Sequence, residues 1–116
     1  MNQFERIIEQ LISTKYYTPC AFKLTGKSCQ DWYNVPDTSE DYWSSGTWIK
    51  YWEKFSGSVA DKCCVKGCGN EAKHGAHVKH ADDDTMYIVT MCSFHNHPSK
   101  TNFFDFKSGT VVVEVE

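Results

Sequence analysis

The sequence predicts an α+β fold, with helices in the N-terminal part and short strands around a zinc module in the C-terminal part. Three observations predict it. Apolar residues recur at helical spacing over residues 4–12 and again over 48–55. Two strand-like stretches, 75–80 and 87–91, flank the polar turn Asp82-Asp83-Asp84. Two short Cys/His pairs, within 63–68 and 92–95, bracket that hairpin as the two halves of a tetrahedral site would.

The first helix carries Phe4, Ile7, Ile8, Leu11 and Ile12 on one face and Glu5, Arg6, Glu9 and Gln10 on the other. It is expected to stop near Tyr17, because Thr18-Pro19 disfavours helical geometry before the proline and Gly26 punctuates the next stretch. From Cys20 to Ser45 the periodicity is poor, and loops with short extended pieces are expected. Trp48, Tyr51, Trp52 and Phe55 form a second helical face, with Ser44 and Ser45 as N-cap candidates and Ser56-Gly57 as the stop. An aromatic stripe at helical spacing belongs to a core, so this face should pack on the first helix or on the zinc module. The sharper alternative adds Trp32, Tyr33, Tyr42 and Trp43 as an exposed platform, but no Lys or Arg interleaves with them to favour a nucleic acid. At the C terminus, Phe103 to Phe106, Lys107-Ser108-Gly109 and Thr110 to Glu116 read as a terminal hairpin. Val111, Val113 and Val115 would share one strand face there.

A chain of 116 residues fits a single domain, divided into a helical, aromatic part (1–60) and a zinc module with its terminal hairpin (61–116). The 41% hydrophobic content, with 4 Trp, 6 Tyr and 7 Phe, is enough for a packed core. The formal charge of −3 gives no support to a nucleic-acid partner through a broad basic surface. Residues 1–12 hold no uninterrupted apolar run for a signal peptide or a membrane span, so a cytoplasmic protein without a membrane partner is expected. Six cysteines would suit three disulfides. Without a secretory signal, and with a histidine at ligand spacing, metal binding explains them better.

Cys63 or Cys64 with Cys68 leaves four or three intervening residues, and Cys92 with His95 leaves two, spacings that let one turn present both ligands. The cofactor expected is Zn2+. Asp82 to Asp84 do not make a calcium loop, since the spaced oxygen ligands, the glycine and the distal Glu of an EF-hand are missing. Cys20 and Cys29 have no ligand partner nearby in sequence and read as free thiols, and His74, His80 and His97 read as exposed.

At these residues the chain resembles treble-clef zinc proteins of the HNH nuclease superfamily. More closely, it resembles small prokaryotic and phage-type proteins with a Gly-Ala-His-Val element ahead of a Tyr-Ile-Val-x-x-Cys-x-x-His/Cys-Asn element, here residues 75–78 and 87–96. The resemblance covers about a third of the chain. It implies a treble-clef-like ββα module, with the second ligand pair at a helix start. Its Cys-x-Val-x-x-Cys pattern implies Cys63 rather than Cys64 as the first ligand, with Val65 turned into the core.

An active HNH centre would need an Asp or His where Ala76 stands and a metal-binding His where Asn96 stands, and its base-orienting Asn corresponds to about Tyr87. Only His77 matches, with His97 displaced by one residue, so the resemblance implies a degenerate centre. Three roles are open to His77: general base, zinc ligand in place of a cysteine, or structural histidine. Three functions are compatible with these residues. The leading one is a non-catalytic zinc module that binds another protein; the alternatives are a minimal or altered HNH-type metal-dependent nuclease using His77, and a phage-type acidic inhibitor of a nucleic-acid-handling enzyme.

Overall fold

The computed structural model describes residues 18–35, 43 and 45–115. The expected first helix, with Phe4, Ile7, Ile8, Leu11 and Ile12, lies outside the described residues, as do Tyr42 and the cap candidate Ser44. The strands are β1 (Ala21–Lys23), β2 (Trp32–Asn34), β3 (His74–His80), β4 (Tyr87–Met91) and β5 (Val111–Glu114). They form one sheet in the order β1-β5-β4-β3-β2, antiparallel at every junction. One α-helix, α1 (Trp48–Ser56), and a 3-10 turn (Gly26–Cys29) complete the regular elements among the described residues.

The middle of the sheet is covered on both faces, which is why all five residues of the central strand β4 are buried, while the edge strand β1 is exposed. Tyr87, Val89 and Met91 of β4 join Ala76 and Val78 of β3, Val112 of β5, Trp32, Phe106 and the cysteines 63, 64 and 92 in one core. Ile88 and Val113 point the other way, into a second core with Tyr51 and Trp52 of α1. The alternation along β5 matches the two-residue period: Val111, Val113 and Val115 lie on the helix side, and Val112 on the other.

Helix α1 is anchored to β5 on that second face by its aromatic polar atoms. The Tyr51 hydroxyl donates to the Glu114 carbonyl at 2.7 Å and the Trp52 indole N–H to the Val111 carbonyl at 2.8 Å, so both rings bury without an orphan donor. Its start differs from expectation, because the cap is Thr47, whose hydroxyl accepts from the Lys50 N–H. Its end is Gly57, in the left-handed conformation, as the Ser56-Gly57 stop predicts. The helix start presses on β3 at Gly75, where a Cβ would meet the Trp48 carbonyl carbon and come within 2.5 Å of the Ile49 nitrogen. Only glycine fits there.

The predicted architecture of N-terminal helices with a treble-clef-like ββα module and a terminal hairpin is overturned by this five-stranded antiparallel sheet with its single described helix. Three local causes account for it. Residues 21–23 and 32–34 are strands because β5 and β3 offer them free edges, and three residues are too few to display a period of their own. After Cys92 the chain makes one turn, closed by the Asn96 N–H to the Cys92 carbonyl at 3.0 Å, and Pro98 disfavours helical geometry at His97, so no helix succeeds the hairpin. The terminal hairpin does not form because both edges of β5 are taken, by β1 and β4. Phe104 and Phe106 instead bridge to Trp32 and Val65. No helix among the described residues is long and apolar enough to cross a membrane.

Candidate metal centre

The Cys/His pairs meet at one end of β4, on the sheet face opposite α1. The first pair sits on a small turn. An antiparallel bridge between Lys62 and Glu71 closes its base, the Cys63 N–H donates to the Asn70 carbonyl at 2.9 Å, and the Cys68 N–H to the Val65 carbonyl at 3.0 Å. Gly67, at φ 83°, supplies the left-handed residue that brings Cys68 back toward Cys63. The second pair is set by the end of β4: Cys92 comes directly after Met91, and the single turn beyond it returns His95 to the same point.

One ligand atom from each of Cys63, Cys68, Cys92 and His95 lies within 4.8 Å of the other three, so the cluster could hold a metal ion. His95 Nδ1 is 3.3 Å from Cys92 Sγ and 3.6 Å from Cys63 Sγ, and Cys68 Sγ is 3.9 Å from Cys92 Sγ. A tetrahedron with metal–sulfur bonds of about 2.3 Å and a metal–nitrogen bond of about 2.0 Å has edges of roughly 3.5–3.8 Å, and these three pairs stand near that spacing, with every pair within 4.8 Å. Burial pushes the Cys63 thiol up to about 11. At Cys92 burial acts in the same direction but is outweighed by the His95 backbone and ring, the Cys63 thiol and the Asn70 amide, which bring it down to about 6. Thiols bind a metal ion as thiolates, so a cation held here would displace their protons.

The geometry separates the ligand candidates that spacing left open. Cys63 belongs to the cluster, while Cys64 points into the core beneath it, where burial raises its thiol well above the ordinary range. His77 lies on the other face of the sheet, 6% exposed, with its ring 4.6 Å from that of Trp48. The exposed-platform candidates are mostly inside: Trp32 is 3% exposed and stacks on Phe106, while Tyr33 and Trp43 are half-buried. His74 and His97 are exposed and pair with the hydroxyls of Ser93 and Ser99, respectively, whereas His80 is half-buried against Trp32. Cys29 is buried in the first core and Cys20 is exposed.

Two supporting residues have no motif to announce them. Asn70 offers its side-chain amide to Cys92 Sγ at 3.8 Å. Lys107 reaches from the turn before β5 and donates its ammonium to the carbonyls of Cys63 at 2.8 Å and Cys68 at 2.6 Å, while its backbone N–H donates to the Cys64 carbonyl at 2.8 Å. Only the lysine's position two residues before Gly109, in a turn, was visible in the sequence. Beside the cluster an open cleft of about 460 Å³ is lined by residues 66–70, Phe94 and His95. Compared with protein-family models, curated proteins and solved structures, the chain matches none of them.

Proposed function

We propose that the chain is a zinc-stabilised module that acts by binding another protein and carries no catalysis of its own. The observation that supports this best is the donor set. Three thiols and one imidazole complete a tetrahedron by themselves, the composition of structural zinc sites, whereas catalytic zinc keeps a position for water. Thiolate-rich donors favour zinc over the hard divalent ions that hydrolytic centres use. The position of His77 supports the same reading. A general base must reach a water molecule, and His77 is buried beneath Trp48 while His97 is engaged with Ser99. Six cysteines free of disulfides suit a reducing compartment such as the cytoplasm.

The binding surface proposed centres on the ring of Phe94, 59% exposed beside the metal cluster, with Phe103, 62% exposed, as a second and separate exposed ring. Phe94 flanks the ligand His95 and carries the Lys100 ammonium over its ring at 3.9 Å; Phe103 stands edge-on to Tyr33. Exposed aromatic rings held by a rigid neighbour are the usual anchors of a protein interface. Mass-spectrometric metal analysis of chain purified without chelator tests the metal half of the proposal, with one zinc per polypeptide expected. A folded, metal-free chain indifferent to chelator would sink it, and plasmid nicking that disappears in His77→Ala would return the protein to the nucleases.

A further inference from the structure

We infer that Lys107 is a positioning residue of the metal centre, holding both ligands of the first turn through their backbone and balancing the charge of the bound ion. The inference rests on the zinc reading above and extends it to a residue outside the ligand set. A divalent ion with three thiolates and a neutral imidazole carries a net charge of −1, and this site is partly withdrawn from water, since Cys63 and Cys92 are buried while Cys68 and His95 are half-buried. An ammonium is the natural counterion. Lys107 is half-buried, and its donors go to the carbonyls of Cys63 and Cys68 in particular, 2.8 and 2.6 Å away. Both carbonyls belong to residues whose side chains face the ion, so the ammonium fixes the curvature of the turn that presents them.

The chain around Lys107 is built to aim it. Its N–H donates to the Cys64 carbonyl at 2.8 Å, and its own carbonyl accepts from the Thr110 hydroxyl at 2.6 Å and from the Thr110 N–H at 3.1 Å. A lysine serving only solubility would not be tied down by three hydrogen bonds to its backbone and then turned inward. Lys66 makes the contrast: it lies inside the ligand turn itself, carries the same charge and is exposed.

The test is zinc affinity of the full chain by competition with a chromophoric chelator, together with the thiolate-to-metal absorption of the cobalt-substituted protein. Lys107→Met should weaken zinc binding by about 10–100-fold, the range for losing an outer-shell partner, and should shift the cobalt band, because the thiolates lose their counterion. Lys66→Met removes an equal charge and should change neither. Wild-type affinity and an unshifted band in Lys107→Met would overturn the positioning role while leaving the zinc reading intact. A wild-type chain without zinc affinity would overturn the zinc reading first. Should Lys107→Met not fold, Lys107→Gln, which can still donate to the carbonyls but carries no charge, should bind zinc more weakly than wild type and show the shifted band. Failure of both variants to fold would make Lys107 a general requirement of the fold and overturn its assignment to the metal.

Discussion

The imidazole of His77 lies edge-on to the indole of Trp48, with ring centroids 4.6 Å apart and 79° between the planes. This contact joins β3 to the start of α1, on the face of the sheet turned away from the four-residue cluster. It explains a histidine in the middle of a buried strand without any appeal to chemistry. An aromatic pair in this geometry adds about 0.5–1.5 kcal/mol to what burial alone contributes. Replacing His77 by alanine should therefore lower stability by about 1–3 kcal/mol in urea unfolding while leaving the metal content at its wild-type level. Loss of the metal with stability unchanged would instead place His77 at the centre.

Cys63 and Cys64 are adjacent in sequence and opposite in role. Cys63→Ser should abolish stoichiometric metal binding and, with it, much of the stability, because binding energy at a structural site is folding energy. Cys64→Ala should keep the metal and cost about 1–2 kcal/mol as a small cavity beneath the turn. Metal analysis and chelator-induced unfolding of the two variants would read the difference directly.

The cluster was legible because its geometry is local. Each ligand pair lies on one turn, so the spacing of Cys92 and His95, or of Cys63 and Cys68, already carries half of a tetrahedron. The helix with Trp48, Tyr51, Trp52 and Phe55 was legible for the same reason, as was the hairpin of β3 and β4. The features hidden from the sequence are non-local. Ala21 to Lys23 are strand because Val111 to Val113 lie beside them, and no local preference in Ala-Phe-Lys reports that. Phe104 and Phe106 alternate like one arm of a hairpin, yet their partners are Trp32 and Val65, 72 and 41 residues away by subtraction of their numbers. Lys107 escaped notice because a side chain bonded to carbonyls leaves no pattern at the residues whose carbonyls it takes.

The hairpin turn should set the pH limits of β4. The Tyr87 hydroxyl donates to the Asp83 carboxylate at 2.7 Å, and burial, with Asp83 beside it, pushes the phenol up to about 12. A group whose folded pKa lies above its unfolded value of 10.0 contributes stability that is complete below pH 10 and lost as pH rises toward 12. Asp83 shifts the opposite way, held low by the Thr85 N–H and then by Tyr87, so its contribution is present above about pH 4 and disappears below it. That acid effect should be small, because Asp83 is exposed. Stability measured against pH for Tyr87→Phe and wild type should show the difference between them shrinking from pH 10 to 12. A difference constant across that range would remove Tyr87 as the source.

Gly75 and Trp52 test how tightly α1 is held to the sheet. At Gly75 the obstacle to a side chain is backbone, the Trp48 carbonyl and the Ile49 nitrogen, and backbone cannot rotate aside as a side-chain tip would. Gly75→Ala should therefore cost about 1–3 kcal/mol or more, the range for overpacking a filled site. Trp52, 7% exposed and bonded through its indole N–H to Val111, should cost about 3–5 kcal/mol when cut to alanine, since the cavity adds to the lost burial and the Val111 carbonyl loses its donor. The metal should survive both changes, because the cluster packs against the other face of the sheet. Chemical denaturation combined with metal analysis checks both claims on one sample. A Trp52→Ala chain with an unchanged midpoint would mean that the aromatic stripe is not buried on β4 and β5, and the face would then have to be read as a recognition surface.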